Sequence, residues 1–196
     1  MSTGPTTAET AALLLESPRL LSVDEYHRMM ETGILDEDEG VELLEGVIVA
    51  MSPQSPPHAR CIQWLTRFLS RTLGDEYAVR VQLPLTLGAR NEPEPDVAVV
   101  RADDTSRDRH PGAAVLVIEV AGDSLRRDRH IKAALYARGG IPEYWIVNVE
   151  AQVIEAFADP DAAAGAYRRT RTVAASEIIA SEALPPDSFS VSDLFA

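Results

Sequence analysis

The stretch "AVLVIEVAG", residues 114–122, holds a single charged residue, Glu119, inside an otherwise apolar, β-branched run. So apolar a run predicts a strand buried in the centre of a sheet rather than one half-exposed at its edge. A carboxylate in that setting needs a partner. A second β-branched run, "EPDVAVVRA" (residues 94–102), precedes it across a loop rich in Arg and Asp that ends in Pro111-Gly112. With Arg101 set opposite Ala114 in an antiparallel pair, Asp96 falls opposite Glu119. Directly opposed residues share a face, with Cβ atoms about 4.5–5.5 Å apart. Two carboxylates so placed repel unless a cation lies between them, so the pair is a candidate site for Mg²⁺ or Mn²⁺, which favour oxygen ligands. The plainer alternative has Glu119 paired with an arginine and Asp96 merely opening a strand. A slip of one residue would send the two acids to opposite faces.

The surrounding pattern alternates helices and strands. "SVDEYHRMMETG" predicts a short helix, with Ser22 as N-cap, Glu25 completing a capping box and Gly33 as the stop. "VELLEGVIVAMSP" predicts two short strands around a tight turn at Glu45-Gly46. "HARCIQWLTRFLSRTLG" has helical spacing, and "YAVRVQLPLTL" predicts a strand that Pro84 confines to an edge or bulge. A helix is expected from about Leu125 to Arg138, stopped by Gly139-Gly140. "EYWIVNV" then predicts a buried strand, with Tyr144 or Trp145 in the core rather than stacked on a base, and "AQVIEAFAD" can hairpin back against it. The C-terminal "LPPDSFSVSDLFA" is turn-rich and ends in an apolar patch expected to dock on the body. The layered order predicts an α/β or α+β domain. Residues 1–18 are expected to form a loose tail and residues 19–196 one domain.

Only one of the 18 basic residues is a lysine, Lys132, within "DRHIKAALYARGG". Asp128, Lys132 and Tyr136 stand at i, i+4 and i+8, one stripe of the expected helix. An Asp–Lys pair at this spacing is ordinarily a solvated surface pair. In a chain that uses arginine everywhere else, a compact ammonium on this stripe points to a role beside the two carboxylates: orienting water or offsetting charge on a phosphorane.

Charge restricts the partners. The net charge of -13 argues against a polyanion, but it is unevenly spread: -9 over residues 1–57, +2 over 58–138 and -6 over 139–196. Every residue of the candidate site except Glu45 lies in the near-neutral middle. One cysteine, Cys61, excludes a disulfide framework within the chain and fits a reducing, cytoplasmic setting. No apolar run reaches the roughly 18 to 20 residues of a membrane span. No secretory signal is expected, since no basic N-terminal region precedes a long apolar core.

Taken together, "EPDVAVV", "LVIEVAGDSLRRDRHIKAALYARGGIPEYWIVN", "VELLEGVIVAMSP", "VQLPLTL" and the terminal "VSDLF" resemble the Uma-type restriction endonuclease family. That family is a bacterial branch of the PD-(D/E)xK nuclease superfamily, and the likeness runs from about Leu20 to the C-terminus. The resemblance implies a restriction-endonuclease-like core: a mixed central sheet, four strands in the superfamily, flanked by helices, here with an N-terminal helix and β-hairpin extension. It implies metal binding by Asp96, Glu119 and the carbonyl of Val120, with Lys132 assisting the attacking water. Glu45 resembles an additional upstream acid, and His58 matches a recurrent histidine; plainer readings make Glu45 a turn residue and His58 a helix-terminal polar group. The strict motif has lysine two residues after the acid, but position 121 is Ala, and the lysine of this branch lies on the following helix, where Lys132 stands. Asp128 is expected to hold Lys132 in place.

The function this implies is metal-dependent hydrolysis of nucleic-acid phosphodiesters, DNA before RNA, leaving a 5′-phosphate and a 3′-hydroxyl. Two alternatives stand beside it: a catalytically silent nuclease-fold module for binding or assembly, and a hydrolase of small phosphodiesters. A two-fold dimer, if formed, is expected to use "IEAFAD" or the C-terminal patch.

Overall fold

The structure, a computed structural model, describes residues 18–36, 38–106, 108–185 and 187–196. The expected N-terminal tail therefore lies outside the described residues apart from Pro18. Helix α1 (Val23–Glu31) begins with the predicted capping box: Ser22 Oγ accepts from the Glu25 N–H and the Glu25 carboxylate accepts from the Ser22 N–H. Strands β1 (Val41–Leu44) and β2 (Val47–Ala50) form the expected hairpin. Its two turn residues, Glu45 and Gly46, have φ of 52° and 78°, the left-handed pair that a two-residue hairpin turn requires. Gly46 is further fixed by crowding, since a Cβ there would lie 2.8 Å from that of Leu20 and 2.9 Å from the Leu21 carbonyl.

Helix α2 (Pro56–Thr72) starts at Ser55, whose side chain accepts from the His58 N–H, with proline in the first turn where no N–H is needed. The main sheet has six strands in the order β3 (Tyr77–Val81), β4 (Val97–Arg101), β5 (Leu116–Ala121), β6 (Glu143–Asn148), β7 (Val153–Asp161) and β8 (Ala166–Ala174). Only the β5–β6 pair runs parallel, so the sheet is mixed, as expected, and has two strands more than the four expected. Strand β3 lies at one edge and ends before Pro84, as the proline demands.

Strand β5 is buried along its whole length, as is β6. Tyr144 and Trp145 are both core residues. The two sheet faces divide the core. Cys61, Ile62, Leu65 and Leu69 of α2 cover Val97, Val99, Ile118 and Trp145. On the other face Leu135, Tyr136 and Ile141 cover Ala98, Val117, Tyr144 and Ile146. That second helical segment is not one regular helix. It runs as α3 (Leu125–Arg127), a π turn over Asp128–Lys132 and α4 (Ala133–Arg138), with the Ala133 N–H bonded to the Asp128 carbonyl.

Strand β8 was not foreseen. Its "YRRTRT" stretch is exposed at the sheet edge and has no apolar alternation to betray it. The consequence reaches "IEAFAD": this stretch is β7, hydrogen-bonded on both sides to β6 and β8, and offers no free edge for a dimer. The C-terminal patch is spent as well. Leu194 is buried in the α2 core with Phe195 packed against it, the Cys61 thiol donates to the Leu194 carbonyl at 3.5 Å, and Arg60 bonds the Ala196 carbonyl. Strands β9 (Ile178–Ala180) and β10 (Ser188–Ser190) pair beside this docked end. No helix among the described residues is long and apolar enough to cross a membrane.

Candidate active site

The site begins with strand register. Val97 pairs with Ile118 and Ala98 with Val117, the expected alignment, which sets Asp96 and Glu119 on the sheet face that α3 and α4 cover. Asp96 lies one residue before β4, where ladder pairing has ended, and its carboxylate replaces a ladder bond: Oδ2 accepts from the Val120 N–H at 2.8 Å. The same oxygen meets His58 Nε2 at 3.1 Å, so the first turn of α2 reaches over the end of the sheet. Burial lowers the His58 imidazole, but the hydrogen bond and charge of Asp96, the Val120 main chain and Asp128 outweigh it and hold the group above its ordinary value.

Lys132 is 5% exposed, and its ammonium reaches Glu119 of the two expected carboxylates but pairs with Glu42 rather than with Asp96. Nζ lies 2.9 Å from Glu119 Oε1 and 3.0 Å from Glu42 Oε2. Tyr136 donates its phenolic hydrogen to the same Glu119 oxygen at 2.7 Å. Burial would discharge the lysine, but Glu119, Glu42 and Asp128 hold its affinity for the proton above the ordinary value. Burial raises Glu119, opposed by the Lys132 charge and reinforced by Asp128, Asp96 and Glu42. Glu94 is raised too, by burial and by Glu42 and Glu92.

Two expected positions need correction. Glu45 does not line the site. It occupies the hairpin turn with its carboxylate half exposed and bonded to Arg138 at 2.6 Å. The acid that enters the site is Glu42, three residues earlier on β1, which also accepts from the Glu94 N–H at 3.3 Å. Its signal was present in "VELLEG": a strand acid among apolar neighbours, like Glu119. Asp128 does not hold Lys132 directly. The π turn carries Asp128 to the cleft wall, where Oδ2 accepts from Ser124 Oγ at 2.6 Å, while Glu42 and Glu119 bind the lysine. Tyr136 was placed on the right stripe but given no role.

Glu42, His58, Asp96, Glu119, Asp128 and Lys132 line one cleft of about 500 Å³, with Arg127 at its rim. Arg127 fixes its rim by donating to the Ala50 carbonyl and Ser52 Oγ at 3.0 and 3.1 Å. The four carboxylates Glu42, Asp96, Glu119 and Asp128 share one arrangement among the described residues. Each has one oxygen bound by protein donors, Oε2, Oδ2, Oε1 and Oδ2 respectively, and no protein donor on the other. Such a hard oxygen donor set suits Mg²⁺ or Mn²⁺. No three His, Cys, Asp or Glu side chains among the described residues converge on one point as a closed cage. Mg²⁺ needs none, since it is usually held by one or two carboxylates and keeps several waters.

A crystal structure of "a putative nuclease belonging to DUF820" from Anabaena variabilis ATCC 29413 superposes with a TM-score of 0.71 over 89% of this chain and 97% of the other, at 16% identity. At that identity the likeness is one of fold. No curated protein matches the sequence. The family described as "Uma2: Putative restriction endonuclease" matches residues 23–192, which take in every site residue named above. By that match over most of its length, the chain belongs to the Uma2 family.

Proposed function

We propose that this protein is a metal-dependent endonuclease that hydrolyses phosphodiester bonds of nucleic acid, DNA before RNA. The observation that carries the reading is the meeting of Asp96, Glu119 and Lys132, from three separate elements, in one cleft. Asp96 and Glu119, with the Val120 carbonyl, are the residues that would hold Mg²⁺ or Mn²⁺, and Glu42 shares the Lys132 ammonium with Glu119. A divalent cation there supplies charge neutralisation at the scissile phosphate.

The chain's own residues do the remaining work. Lys132 has three N–H donors, and two face Glu119 and Glu42. The third has no acceptor among the described residues and would orient water or meet charge developing on the phosphate. Tyr136 and Lys132 together bind one oxygen of the Glu119 carboxylate and fix the group, which leaves the other oxygen available to a cation. His58 and the Val120 N–H fix Asp96 in the same way. Such fixed partners orient a metal ligand and tune its basicity.

The cleft wall carries more acids than bases, which would repel a polyanion until cations enter. Nucleic-acid binding is therefore expected to depend on the divalent ion, with Ca²⁺ as a non-cleaving probe. The test is calorimetry with Mg²⁺ and Mn²⁺ followed by cleavage of duplex and single-stranded DNA and RNA. Asp96→Asn and Glu119→Gln are expected to remove cation binding and cleavage, with the fold retained by circular dichroism. Wild-type protein that binds neither ion sinks the proposal. Metal binding with cleavage of a small diester alone supports the small-substrate hydrolase. Metal binding without any cleavage supports the silent module, which the charge of -13 favours.

A further inference from the structure

Among the described residues, the cleft is lined by one lysine and one arginine, Lys132 and Arg127. The Lys132 ammonium is taken up by Glu119 and Glu42. Arg127 is held differently. Its Nη1 donates to the Ala50 carbonyl at 3.0 Å and its Nη2 to Ser52 Oγ at 3.1 Å. Both acceptors are neutral, and no carboxylate among the described residues lies within ion-pair distance of this guanidinium. Arg19, Arg129, Arg138, Arg168 and Arg169, by contrast, each pair with an acid. A guanidinium carries five N–H donors, so three of those on Arg127 have no acceptor among the described residues. Its Nε, unlike that of Arg80, is not buried.

A carbonyl and a hydroxyl fix the direction of a guanidinium without cancelling its charge. Arg127 ends α3, and Ser52 lies on the link from β2 to α2, so the guanidinium bridges two parts of the cleft wall. A loose surface arginine gives up rotamer freedom when a ligand orders it; Arg127 is held before any ligand arrives. As a staple between α3 and the 50–52 segment it would need donors only, not a charge left without its acid. Six carboxylates line the same cleft, so an acidic side chain or peptide is repelled there. A phosphate brings the counter-charge that the protein withholds, and its paired oxygens match the planar fork of an arginine.

The geometry assigns Arg127 as the residue that binds a backbone phosphate of the nucleic acid at the cleft rim. The assignment rests on the endonuclease reading and adds to it a substrate-positioning residue beside the metal-binding pair and Lys132. Arg127→Met tests it by keeping an apolar stem and removing the fork. Arg138→Met is the control, since it removes the same charge from a side chain that pairs with Glu45 outside the cleft. Duplex DNA binding is measured over a range of salt concentrations with Ca²⁺ present. Arg127→Met is expected to weaken binding roughly 10-fold and to reduce the slope of log affinity against log salt by about 1. Its Ca²⁺ affinity by calorimetry, and the slope for Arg138→Met, are expected to stay at the wild-type values. An unchanged slope in Arg127→Met overturns the assignment. So does an equal change in Arg138→Met, which would make the effect one of net charge, or a loss of Ca²⁺ affinity, which would place it at the cation. Wild-type protein that binds Ca²⁺ but no nucleic acid defeats the endonuclease reading itself, and the assignment with it. Should Arg127→Met not fold, a crystal structure of the wild type with Ca²⁺ and a short duplex decides the matter. A phosphate oxygen within hydrogen-bond reach of Arg127 is expected; a guanidinium that touches only Ala50 and Ser52 overturns the assignment.

Discussion

Glu42 and Glu45 stand three residues apart in one hairpin, and each pairs with a cation from the same helical segment. Glu42 meets Lys132 at 3.0 Å and Glu45 meets Arg138 at 2.6 Å. By distance the second pair is the tighter. By consequence the order reverses, because the side chains of the first pair are 2% and 6% exposed and those of the second 49% and 46%. Water already solvates the outer pair and screens it, so its formation changes little. The inner pair has lost its water, and each member depends on the other to offset the cost of burial. Burial, not contact distance, separates a site from a surface decoration.

The comparison can be broken by removing one cation at a time. Lys132→Met leaves Glu42 and Glu119 buried without their counter-charge. It is expected to cost about 3–5 kcal/mol in urea unfolding and to abolish cleavage. A loss below about 1 kcal/mol would put the inner pair in the class of exposed ones. Tyr136→Phe is a gentler cut, removing one hydrogen bond to Glu119 while Lys132 stays. A loss of about 1.5–3 kcal/mol is expected, together with reduced turnover. An unchanged melting curve would mean that the phenol contributes packing alone. At the other end, Glu45→Ala or Arg138→Ala is expected to change stability by no more than about 1 kcal/mol and to leave cleavage at the wild-type rate. A large loss of cleavage in Glu45→Ala would return that acid to the site and undo the contrast.

The same hairpin shows where sequence reading succeeds and where it stops. The turn at Glu45-Gly46 was legible because a two-residue hairpin turn restricts its residue types. Which of the two acids faces the site was not, since that depends on how β1 lies against Lys132, a long-range contact with no local signature. The pairing of Asp96 with Glu119 was one register the sequence allowed but did not single out, because both strands are buried on both faces and a one-residue slip leaves them apolar; the ladder of Val97 with Ile118 selects it. Strand β8 was not, because an arginine-rich edge strand is held by its neighbour's backbone rather than by its own side-chain pattern.

By itself, then, the sequence determined the buried strands and the lone ammonium on a helical stripe expected to face them. Periodicity and hydrophobic burial act locally and leave their mark residue by residue. The tertiary structure alone decided that Glu42 rather than Glu45 completes the cluster, that the π turn separates Asp128 from Lys132, and that the C-terminal patch is already covered. Each of those depends on distant segments meeting, and the free energy of such a meeting belongs to the pair rather than to either stretch of chain.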